Sequence, residues 1–202
     1  MTVNIILAGV GGQGILSIAN VIGLAALKDN LYLKQAEVHG MSQRGGDVQS
    51  TLRISDKPIA SDLVPYGGAD IIVSLEPMES LRYLPFLKKE GWVVTNTNPF
   101  INIKNYPDIK EVMAELEKID NLVAFDMDQV AKNNGSPRSS NMVLLGAASP
   151  FLKLPENLLT DGITNFFAPK GEKIVDLNIK SFHAGRDEAV NFIKERKTSF
   201  RF

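Results

Sequence analysis

This chain predicts a three-layer α/β/α fold with a mixed sheet and a helical C-terminal part, and three observations carry that prediction. Short apolar runs recur at Val3 to Ala8, Ala69 to Leu75, Trp92 to Thr95 and Leu122 to Asp126, the pattern of strands buried on both faces. Segments with apolar residues at helical spacing lie between them, beginning with Ile15 to Leu27. One further run, Asp47 to Ile54, alternates instead: Val48, Ser50, Leu52 and Ile54 take one face, and Gln49, Thr51 and Arg53 the other. Period-two alternation marks a half-exposed strand at or near a sheet edge.

The 202 residues fit one domain, 1–202, with a helical extension over about 150–202. Hydrophobic residues make up 44% and charged residues 22%, as in ordinary globular proteins. A formal net charge of −1 leaves no electrostatic footprint for nucleic acid. No apolar run approaches the ~20 residues of a membrane span and no signal-peptide pattern is present, so the cytoplasm is the expected compartment. There is no cysteine, which excludes disulfides, thiolate zinc sites, cysteine-held iron–sulfur clusters and thiol catalysis on this chain. With only His39 and His183 as histidines, no metal site is expected. Any redox chemistry needs a borrowed cofactor or a partner that holds one.

The opening stretch organises the rest. Val3 to Ala8 runs into Gly9-Val10-Gly11-Gly12-Gln13-Gly14 and then into the helical pattern from Ile15. Strand, glycine turn and helix together make a dinucleotide-type signature, in which helix N–H groups face an anion such as phosphate. The same glycines also suit a bare tight βα junction. The second strand, Leu31 to Val38, carries Glu37 near its end, where a Rossmann-like fold would hold a ribose. No crossover helix follows. The chain gives Glu37-Val38-His39-Gly40-Met41-Ser42-Gln43-Arg44-Gly45-Gly46, a polar, glycine-rich stretch that reads as a binding loop or an exposed turn.

Further on, Asp56-Lys57-Pro58 looks like a hairpin turn. Pro77 opens a helix carrying Met78, Leu81, Leu84 and Leu87, and Asn96 to Pro99 forms a polar break. Asp108 to Ile119 is an amphipathic helix with a solvated charged face. Asp126 ends the last strand, and Asp128 is expected as a helix cap. Asn141 to Ala148 should be a buried helix capped by Ser139 or Ser140, its Gly146, Ala147 and Ala148 permitting close packing. Pro155 to Phe167 and Glu172 to Lys197 read as helices, with Gly185 a bend and His183 structural.

Taken together, three stretches resemble the gamma-type domain of the 2-oxoacid:ferredoxin oxidoreductase family, and within it the branch acting on indolepyruvate. They are Gly9 to Gly14, Glu37 to Gly46, and Ser140-Asn141-Met142-Val143-Leu144-Leu145-Gly146-Ala147. The resemblance implies a subunit that is inactive alone and holds no cofactor. Thiamine diphosphate, magnesium and iron–sulfur clusters would sit in a large alpha subunit, coenzyme A would be a co-substrate, and electrons would pass to ferredoxin. The chain lacks the Gly-Asp-Gly pattern of a thiamine diphosphate site, in keeping with that division. Arg44 would then hold the carboxylate or phosphate of a 2-oxoacid or coenzyme A, with Glu37 and His39 orienting the loop or moving a proton. Gly9, Gly11, Gly12, Gln13, Gly14, Gly45 and Gly46 would bring backbone groups to the same anion. The rival reading is a free-standing NAD(P)-dependent dehydrogenase or nucleotide-binding module, favoured by the glycine spacing and Glu37.

Overall fold

The computed structural model describes residues 1–40, 46–101 and 103–199; the side chains of His39 and of residues 196–199 stand outside that description. Along the chain come β1 (Thr2–Val10), α1 (Ile15–Lys28), β2 (Tyr32–His39), β3 (Asp47–Ser55), β4 (Ala69–Ser74), α2 (Pro77–Arg82), β5 (Leu87–Asn96) and α3 (Ile109–Glu117). After them come β6 (Leu122–Phe125), α4 (Met127–Asn133), α5 (Ser140–Ala148), α6 (Glu156–Phe167) and α7 (Glu172–Ser199). The strands form one sheet in the order β2-β3-β1-β4-β5-β6. β1, β4, β5 and β6 are parallel, while β3 runs antiparallel to both β1 and β2. The mixed three-layer architecture is therefore present.

Helices cover both faces. On one, α1, α5, α6 and α7 close over Ile5, Leu7, Leu52, Ile71 and Val94 around the fully buried Phe182. On the other, α2 and α3 close over Ile6, Ile72, Val93 and Leu122. Each such side chain contributes roughly 1.5–3 kcal/mol by leaving water. α6 packs on α1 and α7 on α5, so the C-terminal helices share the main core. Among the described residues no helix is long and apolar enough to cross a membrane.

Several local expectations change. The alternating strand β3 lies next to the edge strand β2, near the sheet edge as expected, but it is not half-exposed. The polar face of β3 is roofed by the segment after it: Arg53 donates from Nη1 to the carbonyls of Ser61 (2.9 Å) and Leu63 (3.2 Å), and Thr51 Oγ1 to that of Asp62 (3.2 Å). Polar alternation here records that roof, not solvent. Residues 56–58 make no hairpin, because β4 pairs with β1 and β5 and not with β3. The helix from Pro77 stops at Arg82. Pro85 removes an N–H and forces a single 3₁₀ turn at Leu84–Phe86, after which β5 begins at Leu87.

Gly185 does not interrupt α7, which runs unbroken from Glu172 to Ser199. It marks a close helix crossing instead. A Cβ on Gly185 would stand 2.0 Å from the Val143 carbonyl oxygen, and one on Gly146 would stand 1.9 Å from that of Phe182. His183 lies beside this crossing with Nδ1 3.2 Å from Glu156 Oε1, and Arg186 Nε reaches Glu156 Oε2 at 2.8 Å.

Candidate functional site

The sheet topology selects a site. β1 leads into α1 on one face and β4 leads into α2 on the other. Connections that leave in opposite directions from neighbouring parallel strands open a crevice outside their carboxyl ends. Two cavities lie there. One, of about 330 Å³, is lined by Val10, Gly11, Gly12, Gly14, Ile15, Leu16 and Val48. The other, of about 410 Å³, is lined by Gly12, Gln13, Leu75, Asn96, Asp128, Pro137 and Arg138. Gly12 borders both.

The glycine turn is held from three sides. Gly14 is the N-cap of α1 with φ 83°, a left-handed conformation that glycine adopts without strain. Its carbonyl accepts from Asn141 Nδ2 at 3.3 Å, which ties the turn to the start of α5. Gln13 spans the crevice: Oε1 accepts from Val10 N at 2.7 Å and Nε2 donates to Leu75 O at 3.2 Å. Gln13 thus fixes the turn to the end of β4. Gly11 N donates to Gly46 O at 2.9 Å, fastening the turn to the far root of the 40–46 loop. Ile15 and Leu16, in the first turn of α1, line the smaller cavity, and the unpaired N–H groups of a helix's first turn suit an anion.

That loop is closed at its base, where Gly40 N donates to Asp47 O at 2.9 Å. Met41 to Gly45, including the sequence-predicted Arg44 and Gly45, lie outside the described residues. His39 ends β2 opposite Val48, which lines the smaller cavity. Glu37 pairs with Ser50, and Ser50 with Leu7. It is therefore two strands away from β1, roughly 10 Å across the sheet, and level with a residue that precedes the turn. Its exposed side chain accepts from Gln35 Nε2. The insertion of β3 between β1 and β2 removes Glu37 from the ribose position of a dinucleotide fold.

Sequence reading missed the far wall of the crevice. Asp126, not Asp128, caps α4 by accepting from Gln129 N at 2.8 Å. Asp128 sits in the first turn as an acceptor hub for Asn96 Nδ2 (3.1 Å), Asn98 Nδ2 (2.9 Å) and the Ser140 hydroxyl. Burial raises its pKa, but the hydrogen bonds from Ser140, Asn98 and Asn96 and the charge of Lys132 outweigh that and hold the carboxyl below its usual value. Ser139 is the N-cap of α5 without a side-chain cap bond, because its hydroxyl pairs with Ser136 O (2.7 Å) and Ser181 Oγ (2.6 Å). The signal available in advance was position: Asn96 and Asp128 stand at strand ends, where such sheets gather ligand-facing groups.

Because the folded pKa of Asp128 is depressed, its contribution to stability is complete above the unfolded carboxylate value near 4 and fades as pH falls through the lower folded value. Asp128→Asn should cost on the order of 1–2 kcal/mol at neutral pH, since one amide cannot accept from three donors. Urea unfolding of both proteins from pH 7 to 3 should show that difference shrinking only below about pH 4. A constant difference across the range would show that the Asp128 charge is not what these donors hold.

On the opposite face, Glu76 is 1% exposed and caps α2 by accepting from Glu79 N at 2.9 Å, while the Tyr106 hydroxyl donates to its other oxygen. Burial and that carboxylate push the Tyr106 phenol up. Burial likewise raises Glu79, opposed by the bidentate guanidinium of Arg82 at 2.8 and 3.1 Å. Among the described residues no cluster of metal-ligating side chains forms.

Comparison with known proteins settles the class. The profile of the pyruvate ferredoxin/flavodoxin oxidoreductase family matches residues 4–188. The chain belongs to that family. It is 35% identical over 200 residues to indolepyruvate oxidoreductase subunit IorB of Archaeoglobus fulgidus, covering 95% of this chain and 97% of that one. It is 40% identical over 192 residues to the IorB subunit of Pyrococcus horikoshii, covering 90% and 93%. Solved structures share the fold. The gamma subunit of a keto/oxoacid ferredoxin oxidoreductase from Geobacter sulfurreducens superposes with TM-score 0.70 at 24% identity, covering 95% of this chain and 98% of that one. A 2-oxoglutarate:ferredoxin oxidoreductase of Magnetococcus marinus with 2-oxoglutarate, coenzyme A and succinyl-CoA bound gives TM-score 0.74 at 24% identity. That match covers 94% of this chain and 31% of a longer one. The resemblance read from the three motifs holds, and the free-standing dehydrogenase reading falls.

Proposed function

We propose that this chain is the small subunit of an indolepyruvate-type 2-oxoacid:ferredoxin oxidoreductase and is inactive alone. The observation that carries the reading is the near end-to-end match to IorB subunits, at 35% and 40% identity. With no cysteine in the sequence, iron–sulfur clusters do not fit this chain, and they are assigned to a large alpha subunit together with thiamine diphosphate and magnesium. When bound there, those groups supply decarboxylation and one-electron transfer to ferredoxin, while coenzyme A takes the acyl group. The whole chain acts as one gamma-type unit in the cytoplasm.

This chain's own part is to bind and orient. Backbone amides of Gly12, Gly14 and the first turn of α1, with Arg44, Gly45 and Gly46 from the adjoining loop, form an anion cradle for a 2-oxoacid carboxylate or a coenzyme A phosphate. Gln13 and Asn141 keep that cradle in shape. Glu37 and His39 lie on the strand entering the loop and set its direction.

The decisive experiment is native capture of the chain from its own cells, followed by assay for 2-oxoacid-dependent reduction of a viologen dye. A large iron–sulfur, thiamine diphosphate subunit should co-purify, with indolepyruvate turned over far faster than pyruvate. Recovery of the chain alone, inactive with every oxoacid, would refute the reading.

A further inference from the structure

Four residues with polar side chains line the larger of the two crevice cavities: Gln13, Asn96, Asp128 and Arg138. The protein itself occupies the first three. Gln13 accepts from Val10 N with Oε1 and donates to Leu75 O with Nε2. Asn96 Oδ1 accepts from Met127 N at 3.0 Å and Asn98 N at 3.3 Å, while its Nδ2 donates to Asp128. Asp128 accepts from Ser140 on one oxygen and from Asn96 and Asn98 on the other. Arg138 differs. It is exposed, it lines the cavity, and it makes no hydrogen bond or ion pair with any described residue. The carboxylate that shares its cavity is already filled by three donors and lies under the charge of Lys132. A guanidinium with its full fork of N–H donors is therefore left without an acceptor.

The backbone beneath Arg138 is held firmly. Ser139 N donates to Ser136 O at 3.0 Å, closing a turn with Pro137 and Arg138 at its centre, and the proline ring fixes φ at the first of these. Ser139 is 2% exposed, and its hydroxyl is pinned between Ser136 O and Ser181 Oγ of α7. One residue further on, Ser140 ties the same segment to Asp128. An arginine on such a turn has only its own side chain to order when an acceptor arrives. Gly12 borders both cavities, so the space beside Arg138 meets the space over the glycine turn. At about 330 and 410 Å³, each has the volume of a small-molecule site.

We infer that Arg138 is a second anion-binding residue of the crevice, whose guanidinium takes a phosphate or carboxylate of a substrate beside the anion held at the glycine turn. Paired N–H donors match two oxygens of either group. The inference rests on the small-subunit reading above, because the substrates of that reaction supply such anions: coenzyme A brings phosphates and the 2-oxoacid a carboxylate.

The test uses the two subunits co-expressed, with the tag on the large one. Coenzyme A, dephospho-coenzyme A (which lacks the phosphate on the ribose) and indolepyruvate are varied in turn. Arg138→Ala should leave capture and the melting temperature of the small subunit unchanged, since the side chain is exposed and bonds no described residue. It should raise KM for an anionic substrate ~10-fold or more at unchanged kcat, and Arg138→Lys should recover only part of that. A rise for coenzyme A but not for dephospho-coenzyme A supports the inference and assigns the ribose phosphate. A rise for both assigns the diphosphate, and a rise for indolepyruvate alone assigns the carboxylate. Wild-type KM values for all three overturn the inference and leave the subunit reading intact. Loss of capture in Arg138→Ala also overturns it, because Arg138 would then belong to the subunit interface. A wild-type complex that is not captured, or does not reduce viologen, overturns the subunit reading and the inference with it.

Discussion

Gly185→Ala should lower stability by about 3 kcal/mol or more, against the direction that helix propensity alone dictates. Glycine to alanine within a helix gains roughly 1 kcal/mol, so a net loss reports on packing. The packing at this crossing leaves no room. The new Cβ would stand 2.0 Å from the Val143 carbonyl oxygen, with Val143 C at 2.7 Å and Cα at 2.8 Å, all of them backbone atoms that cannot rotate away. Separating the helices would open space around Val143, Met142 and Phe182, each 0% exposed. At about 2–4 °C per kcal/mol for a chain of this size, the variant should melt roughly 6–12 °C below wild type. Glu188→Ala, on the exposed side of the same helix, should stay within about 0.5 kcal/mol. Calorimetry on the three proteins decides it. Equal melting of wild type and Gly185→Ala would mean that α5 and α7 do not cross this closely.

That crossing also shows where sequence reading reaches and where it stops. Gly146 was expected to permit close packing and does; Gly185 was expected to bend a helix and instead completes the same contact from the other side. A glycine in a helix has one local signature and two tertiary meanings, and only the partner helix distinguishes them. The strands announced themselves because burial on both faces requires apolar runs, as in Ile71 to Val73. The covering of β3's polar face did not, since a strand roofed by its own following loop shows the same alternation as one facing water. The crevice was half legible. Its glycine side has a pattern fixed by backbone constraints, whereas its other side is assembled from Asn96, Asp128 and Arg138, distant in sequence and individually ordinary. Asn141 belonged to a recognised stretch, yet its bond to Gly14 depends on a contact 127 residues away.

Arg44→Ala should reduce kcat/KM of the assembled complex by about 10²-fold while leaving assembly and melting temperature unchanged. Arg44 lies outside the described residues, and the nearest described residues on either side are Gly40 and Gly46. Gly40 N is bonded to Asp47 O, and Gly46 O to Gly11 N in the turn that opens α1. A guanidinium offers a planar fork matched to carboxylate or phosphate, and lysine cannot reproduce its two parallel bonds. Arg44→Lys should therefore recover only part of the loss, which a purely long-range charge effect would not predict. The parameter that moves names the anion. A rise in KM for coenzyme A at unchanged KM for indolepyruvate places a phosphate in the cradle, and the converse places the 2-oxoacid carboxylate there. A fall in kcat with both KM values preserved would mean that Arg44 acts only once the reaction is under way. Kinetics identical to wild type would remove Arg44 from the site and leave the cradle to the backbone of the glycine turn alone.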